Sequence, residues 1–594
     1  MTHEPTPTDA AGRRLRLADF PTLTEALDYA ALGRAGYNFY SARGELLLAL
    51  PYRELREQAL ALARQMLRAG LEPGDRVALI AETGASFMRA FFACQYAGLV
   101  PVPLPTPAAF GGRGGFVAHI RPMLATARPA AALAPAAHLA MIREASDGLH
   151  VRAVGTYELF DGLPESGTDL PRIGEDHLSY LQFSSGSTRS PTGVAVTQRA
   201  LLSNLRGIAY ALGARADDRC TSWLPFYHDM GLVGFVLAPL SSQASTDYVA
   251  TDEFARRPLI WPTLISQNGS TISYAPSFGY ELCTRRAMKM PPGPLDLSRW
   301  RVAGIGGDMI RPHILARFAE TFGGCGFRRE AFVASYGMAE ATLGITFAPL
   351  ERGIEIDRVD LDTLRAEGRA APANGQSRKT RELVLCGHVL PGHELEIRDA
   401  DDRVLGERAV GRIVIRGPSV MREYFGNRAE TERVLSPDGW LDTGDLGYLI
   451  GGSLVVAGRS KDLILINGRN VWPQDLEWAV EQHVEGVREG DVAAFSVDEG
   501  EAERVILLVT CRTSNAEAQA ALRRATAEVV LAAAGLTCTV VLVPPNTLPR
   551  TSSGKLSRAR ARELYLAALR EEPEAERRFI EAWRDLTPAT VTPA

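Results

Sequence analysis

Absences narrow this chain first. It has no apolar run long enough to span a bilayer. Residues 1–20, MTHEPTPTDAAGRRLRLADF, lack the apolar core of a secretory signal. None of the 7 cysteines (Cys94, Cys220, Cys283, Cys325, Cys386, Cys511 and Cys538) forms a CxxC pair or joins histidines at zinc-binding spacing. An odd, dispersed set of thiols fits a reducing compartment. Positive charge is not in excess either: the formal net charge is -5, which argues against a nucleic-acid partner. Arginine-rich stretches such as LSRARARE read as solvated helix faces. The expectation is a soluble, cytoplasmic protein with no transmembrane segment and no nucleic-acid partner.

What is present is the composition of an ordinary globular protein, 46% apolar and 23% charged, over 594 residues, enough for several cores. After a loose N-terminus (1–20), helix and strand patterns alternate. YRELREQALALARQMLRAG carries apolar residues at helical spacing and ends at Gly70. RVALIA and LVPVPL read as short buried strands flanking the helix SFMRAFFACQYAG. Repeats of this β-α-β kind predict an α/β fold, a parallel sheet with helices on both faces. From about residue 380 the pattern turns to short strands and turns, a β-rich subdomain. Beyond it, PQDLEWAVEQHV (an amphipathic helix with Pro473 in its first turn), the strand VILLVTC and an Ala-rich helix ending at Gly535 predict a small α+β C-terminal domain. The boundary falls near Gly458 to Lys461. Residues 349–382 are polar and weakly periodic, and read as a surface excursion. The alternative is a regulatory insertion packed between subdomains.

Five stretches carry chemistry. LQFSSGSTRSPTGVAVT places Ser184, Ser185, Gly186, Ser187 and Thr188 after a strand and before a helix whose N-cap is Thr197, as a phosphate-holding loop would. A simple turn is the other reading. In VASYGMAEATLG, Tyr336 is suited to stacking on a purine and Glu340 to holding magnesium, or else they are a buried aromatic and a helix-start acid. In GWLDTGDLGYL, Asp445 can accept from two ribose hydroxyls, or merely form a turn. GRSKDLILINGRNVWPQDLE brings Arg459 and Lys461 to the domain boundary. LPRTSSGKLSR ends a flexible turn in Lys555, a mobile point charge for a phosphate or carboxylate, or a plain surface lysine.

Taken in this order and spacing, these stretches resemble the adenylate-forming superfamily of acyl-CoA synthetases, nonribosomal-peptide adenylation domains and luciferases, from about Leu23 to Leu566. LPFYHDMGLVG, APSFGYELCTRR, YGMAEATLG, GRNVWPQDLE and LPRTSSGKLSR look most like the fatty acyl-AMP ligases. So does the excursion before LVLCG. The resemblance implies a large N-terminal adenylation domain over 21–459, with an insertion at about 349–382, and a mobile C-terminal domain over 460–594 that turns about a hinge at Lys461.

It also implies ATP and Mg2+. Ser184 to Thr188 would wrap the phosphates, and Thr188 with Glu340 would hold magnesium. Tyr336, Gly337 and Met338 would face adenine, with Gly306, Gly307 and Asp308 of GIGGDMI as the adjacent wall, although the family more often has Asn-Gly-Ala-Glu there. Asp445 would hold the ribose, Arg459 would lie near ribose and phosphate, and Lys555 would reach the α-phosphate and the attacking carboxylate. Trp223, Phe226, His228, Met230 and Phe278 are candidates to line an acyl tunnel, with His228 near its carboxylate end. The implied reaction joins a medium- or long-chain fatty acid to AMP and then passes the acyl group to a holo-acyl carrier protein. An acyl-CoA ligase is the near alternative, and a non-catalytic acyl or nucleotide sensor the distant one. The sensor reading stems from Thr192, which stands where the family's loop carries lysine. Arg189, three residues earlier in place of a glycine, is expected to supply the missing charge.

Overall fold

The computed structural model describes residues 13–107, 113–165, 169–183, 192–466, 469–498, 503–551 and 554–571. Its largest element is a nine-stranded sheet. Six of its strands run parallel, in the spatial order Phe332–Gly337, Val302–Ile305, Ile272–Ala275, Arg219–Ser222, Ser245–Val249 and Gly36–Tyr40. Antiparallel strands finish both edges: Gly344–Phe347 and His388–Val389 on one side, Leu46–Pro51 on the other. A second parallel sheet has four strands, Val100–Leu104, Arg76–Ile80, Ala131–Ala134 and Ala153–Thr156. These strands are short and apolar because helices cover both faces, as the expected α/β fold requires. Helix Tyr52–Arg68, for example, buries Leu55, Ala59, Leu62, Ala63 and Met66, which share one face at helical spacing.

The expected β-rich subdomain is an antiparallel sheet of Glu394–Arg398, Gly411–Arg416, Leu441–Ile450 and Ser453–Arg459. Past the turn Ser460–Asp462, the small C-terminal domain builds cores on both faces of its own sheet, Val492–Asp498, Glu503–Thr510 and Cys538–Val543. Val492 and Ala494 face helices Pro473–His483 and Ala516–Ala534, while Ala493 and Phe495 face helix Arg558–Glu571. This alternation is the period of two that a strand dictates. Among the described residues, no helix is long and apolar enough to cross a membrane.

The stretch 349–382 corrects the expectation of a surface excursion. It forms strand Ile356–Asp360 and helix Leu361–Glu367 and leads into strand Thr380–Val384. Val359, Leu364 and Leu383 share a core with Tyr448, Val455 and Trp472. Two of its arginines, Arg365 and Arg381, are buried and meet Asp475 of the small domain, Arg381 Nε at 2.8 Å and Arg365 Nη2 at 3.8 Å. The Arg381 guanidinium also lies 4.6 Å from the Trp472 ring centre. The polar sequence misleads because three of its charged residues, Asp357, Arg365 and Arg381, are buried and paired, while most of the others face solvent. A second contact with the small domain joins Arg311 to Glu481 (2.8 Å) and Glu489 (3.0 Å).

On the outer face of the large sheet, Phe318 sits fully buried in an aromatic cluster. Its ring centre is 4.5 Å from Phe322, 5.0 Å from Tyr280 and 5.1 Å from Phe327, with Trp261, Trp300 and Phe332 around them. Phe318→Ala is expected to cost the large domain about 3–5 kcal/mol. Chemical denaturation followed by tryptophan fluorescence checks this: the midpoint of the large-domain transition falls, and an unchanged midpoint contradicts the packing described.

Candidate active site

The parallel strands of the large sheet deliver several motifs to one edge. At their carboxyl ends, where ligands sit in open α/β sheets, the chain presents Pro276–Ser277 after Ile272–Ala275, Gly306–Asp308 after Val302–Ile305, and Met338–Glu340 after Phe332–Gly337. A cavity of about 1390 Å³ opens there and extends to the small domain.

The Ser/Gly-rich stretch departs from a plain strand-loop-helix arrangement. Leu178–Phe183 and Gly193–Thr197 pair antiparallel, and helix Gln198–Ala211 follows only after the second strand. Thr197 caps that helix as expected, its Oγ1 accepting from Ala200 N at 3.1 Å. Ser184, Ser185, Gly186, Ser187, Thr188 and Arg189 lie outside the described residues. Thr192, just before strand Gly193–Thr197, is buried and borders the cavity.

Glu340 is tethered, through Tyr424, to strand Gly193–Thr197. Strand Phe332–Gly337 ends in a turn so tight that a Cβ on Gly337 would stand 1.9 Å from the Leu343 carbonyl oxygen, so only glycine fits. Thr342 closes this turn at φ +71°, a strained conformation for a β-branched residue. The turn presents the buried Glu340, whose Oε1 accepts from Tyr424 Oη at 2.8 Å. Tyr424 belongs to the two-residue strand Glu423–Tyr424, which pairs with Gly193–Thr197. Burial pushes the Glu340 carboxyl up, and the Tyr424 hydrogen bond opposes the shift. No motif marks Tyr424 in the sequence. Its role arises from a strand pairing between residues 230 positions apart, Tyr424 and Val194.

Tyr336, Asp445 and Arg459 come together. Asp445 and Arg459 stand opposite each other on strands Leu441–Ile450 and Ser453–Arg459. Tyr336 Oη donates to Asp445 Oδ2 at 2.7 Å, and Arg459 Nε lies 3.6 Å from Asp445 Oδ1. Burial raises the Asp445 carboxyl and Arg459 counters it. Gly337 and Met338 border the cavity beside Tyr336, as do Gly307, in the left-handed region at φ +79°, and Asp308. Gly306 does not. It lies against strand Phe332–Gly337, where a Cβ would come 2.8 Å from Ser335 Oγ.

Lys555 reaches the cavity from the small domain on a braced turn. Lys555 N donates to Thr551 Oγ1 (3.2 Å), and Thr551 N donates back to the Lys555 carbonyl (2.8 Å). Arg550 Nη1 holds the Gly554 carbonyl on one side of the turn. On the other, Arg558 pairs with Glu477 (2.6 Å) and Asp462 (3.1 Å). Burial holds the Lys555 ammonium below its ordinary value; Arg459 adds to the shift, while Asp308, Asp229 and Asp445 oppose it. Lys461 also borders the cavity, in the turn Ser460–Asp462.

His228 and Asp229 open a helical stretch that runs to Ser241 through a wide π turn at Leu232–Leu237. His228 Nδ1 lies 2.8 Å from Asp229 Oδ1. Burial acts to raise the Asp229 carboxyl, but His228, then Lys555 and the Met230 amide, outweigh it and hold it below the usual range. Trp223, His228, Met230 and Phe278 line the cavity. Phe226 does not, which corrects that assignment. Its ring is fully buried, stacked on Phe87 at 5.5 Å and edge-on to Tyr248 at 5.0 Å, in the core behind the cavity wall. Sequence reasoning missed the apolar lining supplied by Ile208, Leu212, Phe235, Leu343 and Phe347, whose patterns are those of any core residue. The arrangement sets the half-buried Lys555, with Arg459 and Lys461, among carboxylates, beside apolar walls. It can take a ligand with an anionic head and an apolar body.

Comparison with known proteins agrees with this geometry. The AMP-binding enzyme family matches residues 48–425. A protein of Caulobacter vibrioides described as "Putative acyl-CoA synthetase" is 49% identical over 95% of this chain and 98% of its own length. The medium-chain-fatty-acid–[acyl-carrier-protein] ligase JamA of Moorena producens is 31% identical over 94% of this chain and 97% of its own. A solved structure from work on the fatty acyl-adenylate ligases of E. coli and L. pneumophila superposes with a TM-score of 0.90 at 45% identity, covering 94% of this chain and 100% of that one. With its Tyr336–Asp445–Arg459 cluster, its inserted lysine and its apolar walls, the chain belongs to the AMP-binding enzymes and, within them, to the fatty acyl-AMP ligases.

Proposed function

We propose that this protein joins a medium- or long-chain fatty acid to AMP, releasing pyrophosphate from ATP, and then transfers the acyl group to the phosphopantetheine thiol of a holo-acyl carrier protein. The observation that carries the first step is the half-buried Lys555 ammonium, set at the cavity with Asp229, Asp308 and Asp445 acting on it.

In that step a carboxylate oxygen attacks the α-phosphorus, a new P–O bond forms, and the bond to pyrophosphate breaks. Both reactants are anionic, so alignment and neutralisation carry the catalysis, and no enzyme nucleophile is needed. Lys555 supplies positive charge where the oxygens on the five-coordinate α-phosphorus accumulate negative charge. Tyr336 and its glycine neighbours take the adenine. Asp445 accepts from the ribose hydroxyls, and Arg459 stands by to exchange Asp445 for phosphate oxygens. His228 and Asp229 mark the carboxylate end of the acyl site, with Trp223, Met230 and Phe278 among its walls. Thr188 and Glu340 would hold Mg2+. Among the described residues, no group of three or more acidic, histidine or cysteine side chains could cage a metal, and a lone buried carboxylate suits an ion borne mainly by phosphates. When bound, that ion neutralises the departing pyrophosphate.

In the second step the thiol attacks the acyl carbonyl and AMP leaves. We place the large domain over 21–459, the small one over 460–594 and the hinge at Lys461. Rotation there withdraws Lys555 and admits the thiol. The carrier-protein acceptor is supported by the name of the JamA relative; the description of the Caulobacter relative favours CoA instead.

Mass spectrometry after incubation with ATP, Mg2+ and a fatty-acid panel is expected to find acyl-AMP. Adding CoA and holo-carrier protein together is expected to send the acyl group to the carrier. Acyl-CoA as the dominant product favours the second reading, and no acyl-AMP from any acid overturns both. Arg189→Ala is expected to raise the KM for ATP about 10- to 150-fold, the worth of one charge-assisted hydrogen bond. An unchanged KM shows that Arg189 does not stand in for the absent loop lysine.

A further inference from the structure

The end of helix Ser277–Lys289 and the adjoining face of helix Pro312–Gly323 carry a surface that the adenylation chemistry leaves unused. Arg286, Met288, Lys289 and Met290 are all exposed, Met288 at 68% and Met290 at 52%. Arg317, also exposed, reaches across from the neighbouring helix, its Nη2 lying 3.9 Å from Met288 Sδ. The whole chain has a net charge of -5, yet this patch gathers Arg285, Arg286, Lys289 and Arg317. The acids nearby are Glu281, which is buried and 3.7 Å from Arg317, Glu320, one turn further along the second helix, and Glu489 of the small domain, which feels both Arg285 and Arg317.

Two large apolar side chains stand exposed here beside cations, and the contact printed for them among the described residues is that of Arg317 with Met288. Methionine is unbranched and polarisable, so it adapts to a partner's apolar side chains. Surface cations steer an acidic partner and set its register. Position adds to this. Glu281, Leu282 and Arg285, on the same helix, border the cavity, and so does Glu489 on the facing rim of the small domain. Lys289 lies only about 6 Å further along the helix axis than Arg285. The patch therefore flanks the mouth of the cavity at the seam between the domains.

We propose that this surface docks the acceptor itself, a carrier protein with an acidic helix. Its carboxylates meet Arg286, Lys289 and Arg317, its apolar side chains meet Met288 and Met290, and its thiol-bearing arm enters past Arg285. The inference rests on the carrier-protein reading above and names the surface that reading lacks.

Steady-state acylation by wild type and by Arg286→Glu/Lys289→Glu tests it. The probes are purified holo-carrier proteins of bacterial fatty-acid synthesis and of a polyketide synthase, with free pantetheine as a small thiol. The double variant is expected to form acyl-AMP and acylate pantetheine as wild type does. Its KM for the carrier is expected to rise about tenfold or more, a gap that narrows as salt is raised. Arg286→Lys is expected to retain the wild-type KM. A double variant that acylates the carriers with the wild-type KM overturns the docking surface, as does equal loss toward carrier and pantetheine. Wild type that makes acyl-AMP yet acylates neither carrier overturns the carrier-protein reading on which the surface depends.

Discussion

A lysine ammonium taken out of water is costly unless opposite charge surrounds it, and Lys555 is the point on which this structure turns. Asp229, Asp308 and Asp445 stabilise it from the large domain, while burial and Arg459 work against it. The site is therefore complete only when the small domain is docked, and its charges are balanced for a ligand that brings further negative charge. Arg550 on one side and Arg558 with Glu477 and Asp462 on the other brace the backbone that carries the lysine.

Docking uses the same currency. Arg311 with Glu481 and Glu489, and Arg365 and Arg381 with Asp475, place charged pairs in the seam between the domains. Desolvated pairs of this kind add little net stability compared with apolar packing, but breaking one leaves a buried charge. Such contacts suit a specific interface. Within the large domain the groups that border the cavity are fixed by the fold. The strained Thr342 turn, the Tyr424 tether on Glu340 and the cross-strand pair Asp445–Arg459 are all backed by sheet hydrogen bonding.

Local features of the fold were legible because period and punctuation are local. The helix Tyr52–Arg68, the Thr197 cap and the left-handed Gly535 that ends Ala516–Ala534 all follow from residues within a turn or two. Motifs placed Tyr336, Asp445, Arg459 and Lys555 in one site because each lies in a short, distinctive run. Long-range pairing was not legible. Nothing near Tyr424 signals that its hydroxyl meets Glu340, 84 residues away. The polar stretch 349–382 conceals a core because arginines that pair with Asp475 look, in sequence, like arginines that face water. Phe226 shows the converse limit: in a loop without periodicity, the direction of a ring cannot be inferred from its neighbours, since Pro225 and Tyr227 on either side line the cavity while it does not.

The central claim is that Lys555 serves the joining of acid to AMP and is withdrawn before the thiol arrives. The most direct measurement compares the two half-reactions in Lys555→Ala. One arm reads pyrophosphate exchange into ATP with a fatty acid; the other reads acyl transfer from supplied acyl-AMP to holo-carrier protein. The account predicts an exchange rate lower by about 100-fold or more, with transfer close to wild type. Exchange at the wild-type rate, or equal loss in both arms, contradicts it.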